Sequence, residues 1–220
     1  MEDKNILLLD FDGVICDNND LSVGLIKECI DEVYGKYNLS QETIQLLAED
    51  LYYFNTGDNG AILKKRIPQT TEEEIELAQQ SFKNKALAGV YQTSQMVGGA
   101  KELIQMAKDK GIKIFISSLA HKEFIASFLE RMELLGYFEN IYGKEDGKKD
   151  LHISQIRQNY PEAKIYFVSD GTSDAKQAVD NFYAYVSDNN QRRREAFAQL
   201  GYSAHNSISS ISEEIQSKIK

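Results

Sequence analysis

The sequence has no long apolar run and fewer basic than acidic residues, and each of these features excludes a class of protein. None of the apolar segments in its 220 residues approaches the length required to cross a bilayer. The formal net charge of −9 at pH 7 argues against binding to a nucleic-acid backbone, because such binding requires a basic surface. The sequence therefore predicts that neither a membrane nor a nucleic acid is a partner.

Cysteine is also scarce. Cys16 and Cys29 allow at most one disulfide bond, and they lack the spacing of a metal-binding motif. The acidic start and the short apolar run that follows it lack the basic region and the longer apolar region of a secretory signal. We therefore expect both thiols to be reduced and the protein to be cytoplasmic.

The chain has one dense basic run, Arg192, Arg193 and Arg194, and it is followed at once by Glu195. A short basic run beside an acidic residue is more typical of a solvated helix face than of a nucleic-acid site. The run is therefore interpreted as the exposed face of a helix.

Several short apolar runs predict a parallel β-sheet. Strands that are buried on both faces of such a sheet are continuously apolar. Runs of this kind occupy residues 5–9, 112–116, 164–168 and, more weakly, 182–186. Helical patterns separate the later runs, and this alternation indicates βαβ units. The predicted fold is a doubly wound, Rossmann-like α/β sheet.

Residues 17–95 break the alternation of strands and helices. They contain at least four helical stretches and no convincing strand. Ser40 is a suitable N-cap for one of these helices, and Thr70 or Thr71 precedes another that has three glutamates in its first turn. The pattern predicts an all-helical cap domain, residues 17–95, inserted into a core domain formed by residues 1–16 and 96–220.

The most informative motif is Asp10-Phe11-Asp12-Gly13-Val14, which directly follows the first predicted strand. Ligands of open α/β sheets bind beyond the carboxyl ends of the strands. Asp10 and Asp12 can both turn toward that edge, while Gly13 allows the backbone to bend. Two carboxylates so close together repel each other, and a cation relieves the repulsion. A pair of turn or capping aspartates is the alternative.

Asp170 and Asp174 follow another buried strand and therefore belong to the same edge of the sheet. Their i, i+4 spacing places them on one face of a starting helix. Several acidic oxygens converging on one crevice form a site for a hard cation such as magnesium. A capping role for Asp170 or Ser173 is the alternative, and it is compatible with metal binding.

Two weaker signals lie between these motifs. Ser117 and Ser118 end the strand at 112–116, where a hydroxyl and the backbone N–H groups of the next helix can hold phosphate oxygens. Lys148 and Lys149 open a later helix, and a lysine there can neutralise a nucleophile and a phosphate. Serines at strand ends and paired lysines are common, so neither signal is specific by itself.

In this order the four elements resemble the four motifs of the haloacid dehalogenase-like superfamily. The resemblance covers the predicted core domain, and the position of the helical insertion is similar to that in the phosphoglycolate phosphatase and beta-phosphoglucomutase-like branch. Val97-Gly98-Gly99 resembles the turn by which relatives re-enter the core. The first and fourth motifs together carry most of the specificity.

The resemblance implies a role for each motif. Asp10 would attack phosphorus and form an aspartyl-phosphate, and Asp12 would act as the general acid and then as the general base. Magnesium would bind to Asp10, Asp12 and Asp170, and Asp174 would support these ligands without binding the metal itself. Ser118, with Ser117 as the alternate, would bind the substrate phosphate together with Lys149 or Lys148.

Lys149 is preferred over Lys148 because Ile153 and Ile156 then follow it at the i+4 and i+7 positions, as in many relatives. Two features depart from the pattern: Ser169 replaces the glycine that usually precedes the fourth-motif aspartate, and no proline follows the lysine. Both departures leave the chemistry intact but loosen the choice of lysine.

The expected activity is hydrolysis of a small phosphorylated metabolite, because dehalogenases of this superfamily lack the second aspartate that is present here as Asp12. A phosphomutase, which uses the same four motifs, and a phosphate-binding or regulatory protein without turnover are the alternatives. The expected assembly is a monomer or a homodimer. The motifs do not specify the substrate.

Overall fold

The computed structural model describes residues 5–54, 58–187 and 190–219, with the side chains of residues 87 and 88 left out. The chain divides into two compact units. The core unit comprises Met1–Asp17 and Gln95–Lys220, and the helical unit comprises Asn18–Ser94.

The core unit contains all the strands found among the described residues. In chain order these strands are β1 (Asn5–Leu9), β2 (Cys16–Asp17), β3 (Gln95–Met96), β4 (Lys113–Ser117), β5 (Asn140–Tyr142), β6 (Lys164–Ser169) and β7 (Asn181–Ala184). Five of them form one parallel sheet in the order β5-β4-β1-β6-β7, and β2 pairs with β3 in antiparallel fashion. The predicted doubly wound α/β fold is confirmed.

Strand β1 lies at the centre of the sheet because its side chains are apolar on both faces. Residues 6–9 are almost completely buried. Leu8 pairs in register with Phe115 of β4 and with Phe167 of β6, and all three side chains pack in one apolar cluster. The carboxyl end of β1 is therefore flanked by the carboxyl ends of β4 and β6.

The sheet contains one strand that the sequence pattern misses. Strand β5 is only three residues long, and its first residue, Asn140, is exposed. A run this short has too few apolar positions to show a period. The helix that precedes β5 ends at Arg131, and Glu133 then adopts a left-handed conformation with φ of 59°.

The helical unit contains helices and no strand within its described residues. Its elements are α1 (Asn19–Tyr34), α2 (Gln41–Tyr53), α3 (Asn59–Arg66), α4 (Glu72–Lys85), a π-helical turn at Ala86–Val90 and the short α5 (Tyr91–Thr93). The Ser40 hydroxyl caps α2 by accepting a hydrogen bond from the Thr43 N–H at 3.2 Å. Thr71 and Glu74 form a capping box at the start of α4, so Thr71 is the residue that begins this helix.

The remaining helices belong to the core unit. They are α6 (Ala100–Asp109), α7 (Lys122–Arg131), α8 (Lys149–Asn159), α9 (Gln191–Gln199) and α10 (Ile208–Lys218). Cys16 and Cys29 are both buried and form no disulfide bond. Among the described residues no helix combines enough length with enough apolar character to cross a membrane.

Helix α8 is held against the sheet by Ile153 and Ile156, which pack in the same apolar cluster as Leu8 and Phe167. Because Lys149 is the first residue of this helix, the packing of Ile153 and Ile156 fixes the position from which the lysine side chain starts. Ile153 and Ile156, four and seven residues after Lys149, thus hold the start of α8 in a fixed position against the core.

We predict that Ile156→Ala destabilises the protein by about 3 kcal/mol, because it removes a completely buried side chain and leaves a cavity. Leu151→Ala on the same helix is the matched control, since Leu151 is 53% exposed, and it should change the free energy of unfolding by less than about 0.5 kcal/mol. Urea unfolding of both variants measures the difference. Equal losses would contradict the described packing of α8.

Candidate active site

The predicted site residues lie at one edge of the core unit. Asp10 directly follows β1, Ser118 follows β4, Asp170 follows β6, and Lys149 begins α8. Parallel strands place their carboxyl ends at the same edge of a sheet, so the topology brings these separate segments together. This edge is the candidate active site.

Asp10 is buried, and both of its carboxylate oxygens accept hydrogen bonds. Oδ1 accepts from the backbone N–H of Phe11 at 2.8 Å. Oδ2 accepts from Lys149 Nζ at 2.6 Å and lies 3.0 Å from the Ser169 hydroxyl oxygen. The carboxylate is therefore fixed in one orientation at the end of the central strand.

The chain turns sharply immediately after Asp10. Gly13 adopts a left-handed conformation with φ of 73°, and its N–H donates to the carbonyl of Cys16 at 2.8 Å. A residue with a Cβ atom would be strained at this φ. The turn leaves Asp12 partly exposed, two residues beyond the buried Asp10.

Lys149 links the nucleophile candidate to the fourth motif. Its Nζ donates to Asp174 Oδ2 at 2.6 Å as well as to Asp10, and all three side chains are almost completely buried. Ser169 completes the network, because its hydroxyl lies 2.6 Å from the same Asp174 oxygen and accepts from the Gly171 N–H at 3.0 Å. The serine that replaces the usual glycine is therefore a member of the site.

Lys148 takes a different position from Lys149. It is the N-cap residue of α8, its backbone is extended, and its side chain is exposed. Of the two lysines left open by the sequence, Lys149 is the one that contacts Asp10.

Burial and repulsion perturb the ionisation of the site. Burial raises the pKa of Asp10 to about 7 although the ammonium of Lys149 opposes the change, and the neighbouring Asp174 and Asp170 raise it further. Burial disfavours the charged form of Lys149, but the carboxylates of Asp10 and Asp174 outweigh it and raise the pKa of the lysine. Around Asp10, the one ammonium of Lys149 therefore faces several carboxylates.

Asp170 has a partner that the sequence pattern does not indicate. Nη2 of Arg193, on α9, donates to Asp170 Oδ2 at 2.8 Å and to the backbone carbonyl of Asp170 at 3.0 Å. Burial raises the pKa of Asp170 to about 6, against the opposing charges of Arg193 and Lys149, and the charge of Asp12 adds to the rise.

The interpretation of residues 192–194 as a solvated helix face is therefore wrong for Arg193, which is only 1% exposed. Phe197, four residues later, is also buried and marks the inner face of α9. The i, i+4 spacing of Arg193 and Phe197 is the one signal in the sequence that places this arginine inside.

The two serines after β4 differ in their contacts. The Ser117 hydroxyl is buried and lies 2.9 Å from His152 Nδ1, and the His152 ring stacks on Tyr142. The Ser118 hydroxyl accepts a hydrogen bond from the Ala120 N–H at 3.0 Å. Among the described residues Ser118 has no acceptor for its own hydroxyl proton, so that proton is available to a phosphate oxygen.

The chemistry of the donor set fits magnesium. Asp10, Asp12 and Asp170 supply carboxylate oxygens, the ligands that a hard divalent cation prefers, and burial together with mutual repulsion raises the pKa values of Asp10 and Asp170. Within the part of the chain that the structure describes, no three acidic, cysteine or histidine side chains are arranged as a metal site. One oxygen of Asp10 and one of Asp170 are held by Lys149 and Arg193 instead.

Comparison with known proteins identifies the family. The profile of the haloacid dehalogenase-like hydrolases matches residues 7–181, which is most of the chain. The protein therefore belongs to the haloacid dehalogenase-like hydrolase family. A search of curated proteins finds no match.

Solved structures share the fold at low sequence identity. A protein of Bacteroides fragilis assigned as a haloacid dehalogenase-like hydrolase is 17% identical, with a TM-score of 0.71, and the match covers 92% of this chain and 95% of that one. A predicted phosphatase of Clostridium acetobutylicum is also 17% identical, with a TM-score of 0.70 and coverage of 97% and 99%. A protein of Thermotoga maritima assigned as a beta-phosphoglucomutase is 15% identical, with a TM-score of 0.62 and coverage of 97% and 99%.

We predict that the metal-free protein loses stability as the pH rises from about 5 to about 7.5. Asp10 and Asp170 have raised pKa values, so in this range the folded state holds protons that the unfolded chain has already released. Each released proton leaves a buried negative charge, and added Mg²⁺ should remove most of the loss. Thermal unfolding across this pH range, in EDTA and in Mg²⁺, measures the effect.

Asp10→Asn and Asp170→Asn are the controls for the pH experiment, because each amide removes one titrating group. Both variants should show a shallower fall in melting temperature with pH than the unmodified protein in EDTA. A melting temperature that rises over this range in the metal-free protein, with the same slope in both variants, would contradict the assigned pKa shifts.

Proposed function

We propose that the protein is a magnesium-dependent phosphatase that hydrolyses a small phosphorylated metabolite through an aspartyl-phosphate on Asp10. One observation carries the proposal: a buried carboxylate at the end of the central strand lies 2.6 Å from a buried lysine, beside further carboxylates. Membership of the haloacid dehalogenase-like hydrolase family supports the proposal.

The first step forms the covalent intermediate. A carboxylate oxygen of Asp10 attacks phosphorus, the bond from phosphorus to the ester oxygen breaks, and Asp12 gives its proton to the leaving oxygen. Asp12 suits this role because it is only two residues from Asp10 and is partly exposed, so it can reach the leaving group.

The anionic nucleophile and the anionic substrate repel each other, and positive charge must offset the repulsion. Magnesium held by Asp10, Asp12 and Asp170 would supply Lewis acidity and charge to a phosphate oxygen. Lys149 contributes a fixed ammonium beside Asp10, and the Ser118 hydroxyl donates a hydrogen bond to a further oxygen.

The second step releases phosphate. Asp12, now a carboxylate, takes a proton from water, and the water oxygen attacks phosphorus. The bond from phosphorus to Asp10 breaks, inorganic phosphate leaves, and Asp12 keeps the proton for the next cycle. The two steps together consume one water and restore both aspartates.

We predict that Asp10→Asn lowers the rate of p-nitrophenyl phosphate hydrolysis at least about a thousandfold, because the amide cannot attack phosphorus. The unmodified protein, quenched in acid during turnover, should carry one phosphoryl group on the peptide that contains Asp10. Steady-state kinetics with and without Mg²⁺ and mass spectrometry of the quenched protein measure both results.

Near-ultraviolet circular dichroism is the folding control for Asp10→Asn. Hydrolysis that survives in a folded Asp10→Asn variant would exclude the covalent mechanism. Bound metal without turnover of any phosphoester would favour the phosphate-binding alternative. Transfer of the phosphoryl group to a sugar hydroxyl, in a screen of phosphorylated metabolites, would favour a phosphomutase.

The paired lysines provide a matched test of the site. Lys149→Met should lower kcat about a hundredfold or more, because it removes the ammonium in contact with Asp10. Lys148→Met should change kcat by less than about twofold, because Lys148 is exposed and lies outside this network. Comparable losses in the two variants would contradict the assignment of Lys149.

A further inference from the structure

Arg193 is among the largest completely buried side chains of the protein. A buried charge is costly unless it is paired and hydrogen-bonded, so the position of Arg193 requires a compensating group. That group is Asp170, one of the carboxylates of the candidate metal site, and not a residue that serves only to hold α9 in place.

The geometry of the contact restricts Asp170 at two points. A single nitrogen, Nη2, donates to the carboxylate oxygen Oδ2 at 2.8 Å and to the backbone carbonyl of the same residue at 3.0 Å. Because the side chain and the backbone of Asp170 bind to one donor, the carboxylate cannot rotate without losing a charged hydrogen bond. Among the described residues Oδ1 of Asp170 makes no hydrogen bond, and it is the oxygen left for another ligand.

Helix α9 provides a rigid base for this contact. The Asn190 side chain accepts a hydrogen bond from the Arg193 N–H at 3.1 Å and thereby caps the helix. Arg194 donates to the carbonyl of Val186 at 2.7 Å and to the carbonyl of Ala204 at 3.1 Å. Phe197 is completely buried on the inner face. The guanidinium of Arg193 thus starts from a helix that is fixed on several sides.

We propose that Arg193 is a positioning residue that holds Asp170 by Oδ2 so that Oδ1 is presented to the divalent cation. This inference rests on the proposed function, since it concerns the same metal. An arginine suits the task because its planar guanidinium restricts an oxygen in direction as well as in distance, whereas a lysine ammonium is a point charge on a flexible stem. Groups that orient a metal ligand typically change metal affinity by 10- to 100-fold when they are removed.

Arg194 allows a matched control. It occupies the next position on α9, carries the same charge and donates hydrogen bonds to the backbone carbonyls of Val186 and Ala204. If Arg193 only anchored the helix, Arg193→Gln and Arg194→Gln would have the same consequences. A positioning role predicts that the two variants differ in metal binding.

Mn²⁺ serves as the probe, and its binding to the full-length protein is followed by electron paramagnetic resonance without substrate. Arg193→Gln should weaken Mn²⁺ binding by about 10- to 100-fold. Arg193→Lys, which keeps the charge, should recover part of the affinity, and Arg194→Gln should stay within about twofold of the unmodified protein. Thermal unfolding of each variant without metal separates loss of fold from loss of binding.

Unchanged or tighter Mn²⁺ binding by Arg193→Gln would overturn the proposal, and so would equal weakening in Arg193→Gln and Arg194→Gln. If Arg193→Gln does not fold, the Mn²⁺ affinity of Arg193→Lys is the deciding measurement. An affinity equal to that of the unmodified protein would overturn the proposed role of the guanidinium. Failure of the unmodified protein to bind Mn²⁺ would also overturn it. Binding that follows the expected order without any phosphoester hydrolysis would instead reject the proposed function alone.

Discussion

Lys149 reaches Asp10 and Asp174 from a buried position, and this pair of charged hydrogen bonds joins the end of β1, the start of α8 and the loop after β6. Buried ion pairs contribute little net stability, because desolvation of the charges offsets their attraction. Apolar residues of similar volume would hold these elements together at least as well. The contact is therefore better understood as a requirement of chemistry than as a device of stability.

Charge balance extends the same constraint to the whole edge of the sheet. The carboxylates gathered there are Asp10, Asp12, Asp170 and Asp174, and the buried cations that face them are Lys149 and Arg193. Two negative charges are left over, and a divalent cation would cancel them. Burial, and to a lesser extent the repulsion among these carboxylates, raises the pKa values of Asp10 and Asp170.

The sheet and most of its site residues can be predicted from sequence because both depend on local patterns. Continuous apolar runs identify β1, β4 and β6, and residues that directly follow such runs must lie at one edge. Strand β5 is too short to show a pattern, whereas the i+4 and i+7 spacing of Ile153 and Ile156 already favours Lys149 over Lys148. The burial of Arg193 depends on a partner distant in sequence, so the basic run around it gave the wrong expectation.

The central place of β1 also determines the order in which the protein can be assembled. Leu8 pairs with Phe115 and Phe167, so the strand made first by the ribosome acquires its neighbours only after most of the chain has emerged. The helical unit, Asn18–Ser94, has its own apolar cluster and needs no such distant partner to begin folding. Asp10 is thus among the earliest residues synthesised, and it cannot pair with Lys149 until 139 further residues have been made.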